Sequence, residues 1–128
     1  MLQITVTSLQ DGTNCPIRNV LAMVSGKWQT LILLSLADGP LRFSAIKRAI
    51  GDITQRVLTD NLRLLERDGY LVRTVVATSP VQVSYELTAF GGEFVTLFLP
   101  LAGWAEGALP RVIGARDDYD QRKARDQS

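Results

Sequence analysis

The sequence predicts a mainly α-helical fold with one small β-hairpin, an α+β domain, on three observations. Apolar residues recur at helical spacing between Val20 and Leu65. The period changes to β-branched alternation between Leu71 and Leu87. A long apolar helical run then starts at Thr88. A chain of 128 residues suits one compact domain and folds without a metal or disulfide.

The elements follow in order. Residues 1–14 form a polar arm with weak alternation at Leu2, Ile4 and Val6. Cys15-Pro16 opens a first helix, because proline is favoured in a first turn where its missing N–H is no loss. That helix presents Val20, Leu21 and Val24 and stops near Ser25-Gly26. A second helix spans 27–37 with Trp28, Leu31, Ile32, Ser35 and Leu36 on a buried stripe, and Gly39-Pro40 ends it. Phe43, Ile46, Ala49 and Ile50 mark a third, short helix closed by Gly51.

The fourth helix starts at Thr54, an N-cap residue type, and ends before Gly69. At about 100° per residue, Leu58, Leu62 and Leu65 share one face. Gln55, Arg56, Thr59, Asp60, Arg63 and Arg67 take the opposite one. Leu71 to Val76 and Val81 to Leu87 read as two strands joined by the turn Ala77-Thr78-Ser79-Pro80. The last helix runs from Thr88 to about Leu109, leaving 111–128 as a polar tail, frayed from Ala115 to Ser128. Two helices joined by the short Gly51-Asp52-Ile53 link make a helix-turn-helix, and the hairpin after them is a wing. The architecture is therefore a winged helix-turn-helix with flanking dimerisation helices, over residues 15–110.

Composition narrows the function. Hydrophobic residues at 46% and charged residues at 21% exclude wholesale disorder. With no histidine, the commonest zinc ligand and general base are both missing, so neither a metal nor a cofactor is expected. A lone cysteine excludes a disulfide-built secreted scaffold. The longest apolar stretch, Phe94 to Ala105, is broken by Pro100 and Gly103 and falls short of the ~20 residues of a membrane span. The N-terminus has no export pattern, so the protein reads as cytoplasmic and free of membrane.

Charge is segregated along the chain. Residues 41–76 hold seven cations (Arg42, Lys47, Arg48, Arg56, Arg63, Arg67, Arg73) against four acids. Residues 77–110 hold three glutamates and no cation. A polyanion would be met in the central block. There, Gln55, Arg56, Thr59 and Arg63 lie on one exposed helical face of a width that enters a major groove, where arginine bonds guanine and glutamine pairs with adenine. Arg42, Ser44, Lys47 and Arg73 are placed for phosphates, which fix register without reading sequence. An arginine on an edge strand is also explained by plain exposure, which leaves two readings for Arg73. Phe90, Phe94, Leu97, Phe98, Leu101 and Trp104 exceed what one side of a small domain needs; a plain core helix is one reading, and a dimer seam formed with the first helix, at Phe94, Leu97, Phe98, Leu101 and Trp104, is the favoured one. Cys15 sits at the mouth of a helix, where free N–H groups favour a thiolate; it is either a redox sensor or a small, buriable residue before Pro16.

A set of motifs carries a family likeness. Cys15-Pro16, Gly26-Lys27-Trp28, Arg42-Phe43, residues 53–59 (ITQRVLT), Leu62-x-x-Leu65-Glu66-x-Asp68-Gly69 and Pro80-x-x-Val83-x-Tyr85-x-Leu87-Thr88-x-x-Gly91 together resemble the HxlR family of bacterial winged-helix regulators, over roughly residues 15–105. The resemblance implies a homodimeric transcription factor bound to double-stranded operator DNA, often a sensor of electrophiles or oxidants. Arg18 departs from it, standing where an acidic residue is common, and the 1–14 arm is not shared.

Two other classes compete. A winged helix also serves as a protein-interaction module without DNA binding, because fold does not dictate function. A thiol enzyme would need a base for Cys15, and no histidine is present to supply one. The expectation is a regulator, not an enzyme, with a small-molecule effector as a further partner.

Overall fold

The computed structural model describes residues 20–21 and 26–127. Val20 and Leu21 are helical, and the rest of the expected first helix lies outside the described residues. The order that follows is α1 (Lys27–Ser35), β1 (Leu41–Arg42), α2 (Phe43–Ile50), α3 (Gln55–Arg67), β2 (Leu71–Val76), β3 (Gln82–Leu87) and α4 (Ala89–Asp126). Two compact units share these elements, Met1–Gly92 and Glu93–Ser128, and α4 passes from the first into the second.

The first unit is the winged helix-turn-helix. Its core comes from Ile32, Leu33 and Leu36 at α1, Ile46 of α2, Ile53 of the link, Leu58, Leu62 and Leu65 of α3, and Tyr70 and Leu71. Helix α1 packs on both α2 and α3, and α3 packs on β2. That double contact turns the buried arc of α1 toward Leu33, away from the expected Trp28–Leu31 side; Leu31 is 37% exposed. Trp28 instead carries the Lys27 ammonium 4.3 Å above its ring. Lys27 Nζ also lies 3.7 Å from Asp52 in the turn between α2 and α3. With both groups well exposed, that pair adds little stability.

Backbone chemistry sets the helix ends. Gly51, at φ 92°, closes α2, and its N–H donates to the Lys47 carbonyl. The Thr54 hydroxyl accepts from the Val57 N–H at 3.2 Å and caps α3. At the other end of α3, the Gly69 N–H reaches the Glu66 carbonyl and the Tyr70 N–H reaches that of Leu65. This pair of bonds is a Schellman ending, with Gly69 in the positive-φ position at 87°. Helices α2 and α3 are thereby held on either side of a four-residue turn.

The wing is a three-stranded antiparallel sheet in the order β1-β3-β2. The hairpin matches the expectation; β1 is an addition. It pairs Leu41 with Tyr85 and Arg42 with Ser84, and two residues are too few to show alternation in a sequence. Thr88 joins the sheet to α4. Its N–H donates to the Tyr70 carbonyl at 3.1 Å, its hydroxyl to that of Gly69, and the hydroxyl oxygen accepts from the Gly91 N–H at 3.0 Å. The Tyr70 ring, 4% exposed, stacks on Phe90 at 4.8 Å. Burial, with Asp68 nearby as the smaller cause, pushes the Tyr70 phenol above its usual value.

Helix α4 runs to Asp126, past both Pro100 and Pro110, so the frayed tail expected after Leu109 is helical instead. Opposite charges spaced four apart, Arg116/Asp120, Asp118/Arg122 and Arg122/Asp126, favour helix through that stretch. In the second unit the rings of Phe94 and Phe98 stack at 5.4 Å. No helix among the described residues is long and apolar enough to cross a membrane.

Candidate nucleic-acid interface

Helix α3 is two-faced because its leucines are spaced to bury one side only. Leu58, Leu62 and Leu65 are fully buried, which obliges the opposite face to point outward. Gln55, Arg56, Asp60, Arg63 and Arg67 are exposed on it, and Thr59 is half-buried. The Thr59 hydroxyl donates to the Gln55 carbonyl at 2.8 Å, so its oxygen faces outward as an acceptor.

Between α3 and the sheet runs a groove of about 590 Å³, lined by Phe43, Gln55, Thr59, Leu62, Arg63, Glu66, Arg73 and Tyr85. It brings together three of the four expected base-reading residues, Gln55, Thr59 and Arg63, spaced four apart along one line of the helix. Arg56, one residue beyond Gln55, is turned about 100° away and lies outside the groove. Arg73 joins it from β2, directly across the ladder from Tyr85. Among the described residues, neither Arg63 nor Arg73 has a carboxylate within ion-pair distance. The groove's charge is thus two guanidinium groups against one carboxylate, Glu66.

The other residues expected to hold phosphates lie on α2 and β1. Ser44 is exposed near the start of α2 and Lys47 is half-buried one turn further on. Arg42 is exposed and donates to the Gln82 side-chain oxygen at 2.7 Å, which orients it toward the turn end of the wing without neutralising it. Four groove residues escaped the sequence reading as site residues: Phe43, Leu62, Glu66 and Tyr85. Glu66 follows from the helical spacing to Thr59 and Arg63. Tyr85 needs the hairpin register, which the turn alone did not fix.

The other expected sites separate cleanly. Phe94 and Phe98 are half-buried, whereas Leu97, Leu101 and Trp104 are 78%, 52% and 63% exposed. Cys15 and Arg18 lie outside the described residues. Among the described residues no cluster of His, Cys, Asp or Glu could hold a metal ion.

Comparisons with known proteins identify the family. The chain is 39% identical over 104 residues to the HTH-type transcriptional regulator YtfH of Escherichia coli strain K12, covering 81% of this chain and 82% of that protein. A solved transcriptional regulator, ytfH from Salmonella typhimurium, superposes with a TM-score of 0.73 at 38% identity, over 81% of this chain and 93% of that one. The redox regulator HypR in its oxidized form superposes with a TM-score of 0.69 at 38% identity, over 73% of this chain and 96% of that one. The family is one of transcriptional regulators, not enzymes. Residues 23–112 match its pattern throughout, and the chain belongs to the HxlR-like helix-turn-helix family.

Proposed function

We propose that this regulator binds operator DNA sequence-specifically as a homodimer, with α3 in the major groove. The observation that carries the reading is the alignment of Gln55, Thr59 and Arg63 on the outward line of a capped helix, in one groove with Arg73. Gln55, Arg56, Thr59 and Arg63 read base edges; Arg42, Ser44, Lys47 and Arg73 hold phosphates. Two such helices need a two-fold support to meet successive turns of DNA, and the exposed Leu97, Leu101 and Trp104, with Phe94 and Phe98, supply it. The site of action is the cytoplasm, where the operator is.

The test is an electrophoretic shift with the promoter flanking the protein's own gene. Specific retention that falls steeply as salt rises supports the reading, because phosphate contacts release counterions. No preference over unrelated DNA would favour the protein-interaction module instead. The likeness to a redox regulator supports a sensor role for Cys15, and a non-covalent small-molecule effector is the alternative input.

A further inference from the structure

The groove beside α3 has a helix wall and a sheet wall. On the sheet, Leu71 stands opposite Leu87, Arg73 opposite Tyr85 and Val75 opposite Val83, so these side chains share one face of the wing. Leu71 is fully buried and α3 packs on β2, so this face is the one turned toward α3. Arg73 and Tyr85 come next along it, at the edge of the core, the first exposed and the second half-buried. Arg42, paired with Ser84, lies on the other face and is bonded to Gln82, so it cannot share their position.

The groove's polar side chains do not satisfy one another. Among the described residues, those of Arg63, Glu66, Arg73 and Tyr85 hold no hydrogen bond or ion pair. On the helix wall Glu66 stands three residues from Arg63 and offsets its charge. The uncompensated charge is therefore that of Arg73, on the sheet wall. Beside it, the Tyr85 hydroxyl is a donor without an acceptor.

We propose that Tyr85 and Arg73 together hold one backbone phosphodiester of the operator, a seat that rests on the reading of α3 as the helix that enters the DNA. The guanidinium supplies the charge, and the phenol donates a second hydrogen bond to the same phosphate from the neighbouring strand. One net positive charge in the groove, two arginines against Glu66, complements the single negative charge of a diester. The two walls thereby divide the work: the helix wall reads base edges, and the sheet wall fixes how far α3 advances into the groove. Tyr85 is thus a DNA-binding residue, although it is neutral and lies outside the block of cations.

The experiment uses the full chain, the footprinted promoter segment, its scrambled counterpart, and a set of duplexes with one phosphate at a time replaced by an uncharged methylphosphonate. Tyr85→Phe should weaken binding to operator and scrambled DNA alike, about tenfold, the usual worth of a hydrogen bond to a charged group. Its salt slope should stay unchanged, because the phenol displaces no counterion. Arg73→Gln should weaken both DNAs and lower the slope by about one counterion. At one methylphosphonate position the native protein should lose affinity, and there neither variant should lose more; a variant weakened only by a fold defect would lose affinity at every position. Different positions for the two variants would split the seat and overturn the proposal. Native affinity in Tyr85→Phe would overturn it, as would a change in its base preference, which would make Tyr85 a base contact. A native protein with no preference for the promoter segment would instead remove the operator reading itself, and the seat with it.

Discussion

A Cβ atom on Gly91 would land on the backbone carbonyl oxygen of Tyr70 and 2.9 Å from its carbonyl carbon. The same carbonyl accepts the Thr88 N–H, so it cannot retreat without loss of the hydrogen bond that starts α4 beside the sheet. Gly91→Ala should destabilise the fold by about 1–3 kcal/mol, the usual range for forced overpacking. Gly92 is its control: a Cβ there meets nothing within 4 Å. Gly92→Ala should stabilise by about 0.5–1 kcal/mol through helix propensity alone. Urea midpoints of the two variants should move in opposite directions, and a shared direction would mean that the close approach at Tyr70 is not made.

That contact explains why part of this fold was legible and part was not. Thr54, Gly51 and Gly69 act on their immediate neighbours, so their caps and turns were readable from residue type and position. The alternation of leucines in α3 named its buried face and therefore its outward face. Strand β1 is held by Tyr85 and Ser84, more than forty residues away, and two residues carry no period of their own. The groove was half legible for the same reason: Gln55, Thr59 and Arg63 lie on one helix, but Tyr85 enters through strand register. The polar composition after Leu109 suggested the end of α4, and four-apart opposite charges favour helix through that stretch instead.

Arg56 and Lys47 should fail differently. Arg56→Ala and Gln55→Ala should each cost about 1–3 kcal/mol in operator binding and relax base preference at one position. Lys47→Ala should weaken binding to all sequences and reduce the salt slope by about one counterion. Titrations against operator and scrambled DNA at several salt concentrations separate these outcomes. An unchanged operator affinity for Arg56→Ala would remove that side chain from the base-reading set.

Dimerisation is testable without disturbing the core, because Leu97 and Leu101 are exposed. Leu97→Glu and Leu101→Glu should leave thermal stability at low concentration nearly unchanged while abolishing both the dimer and operator binding. A folded monomer by sedimentation that still bound its operator tightly would detach DNA binding from self-association.

Tyr70 makes the fold sensitive to alkali. Its phenol is raised by burial and by Asp68, so the folded state favours the neutral form. The stability this contributes is fully present below the unfolded phenol value of about 10 and is lost as pH rises from there through the folded value. In an ultraviolet phenolate titration, Tyr70 should ionise above the ordinary phenol value, and Tyr70→Phe should remove that late step. A Tyr70→Phe protein with the same late step would place the raised phenol elsewhere.

Cys15 is the remaining candidate for a signal input. As the residue before Pro16, it stands where the sequence predicts a helix start, and the free N–H groups and dipole of such an end would favour a thiolate. With one cysteine per chain, the chemistry is limited to a capped thiol, an adduct, or a disulfide to another molecule. Diamide or a quinone should therefore change operator affinity in the native protein and leave Cys15→Ser unmoved, and iodoacetamide should label the folded native protein at Cys15. A disulfide between the two copies' Cys15 would require their Cα atoms within about 7 Å, and would show as a dimer on non-reducing gels that a reductant dissolves. Equal responses of native and Cys15→Ser proteins would make the cysteine structural. The signal would then have to enter through a non-covalent ligand, which should bind both proteins alike.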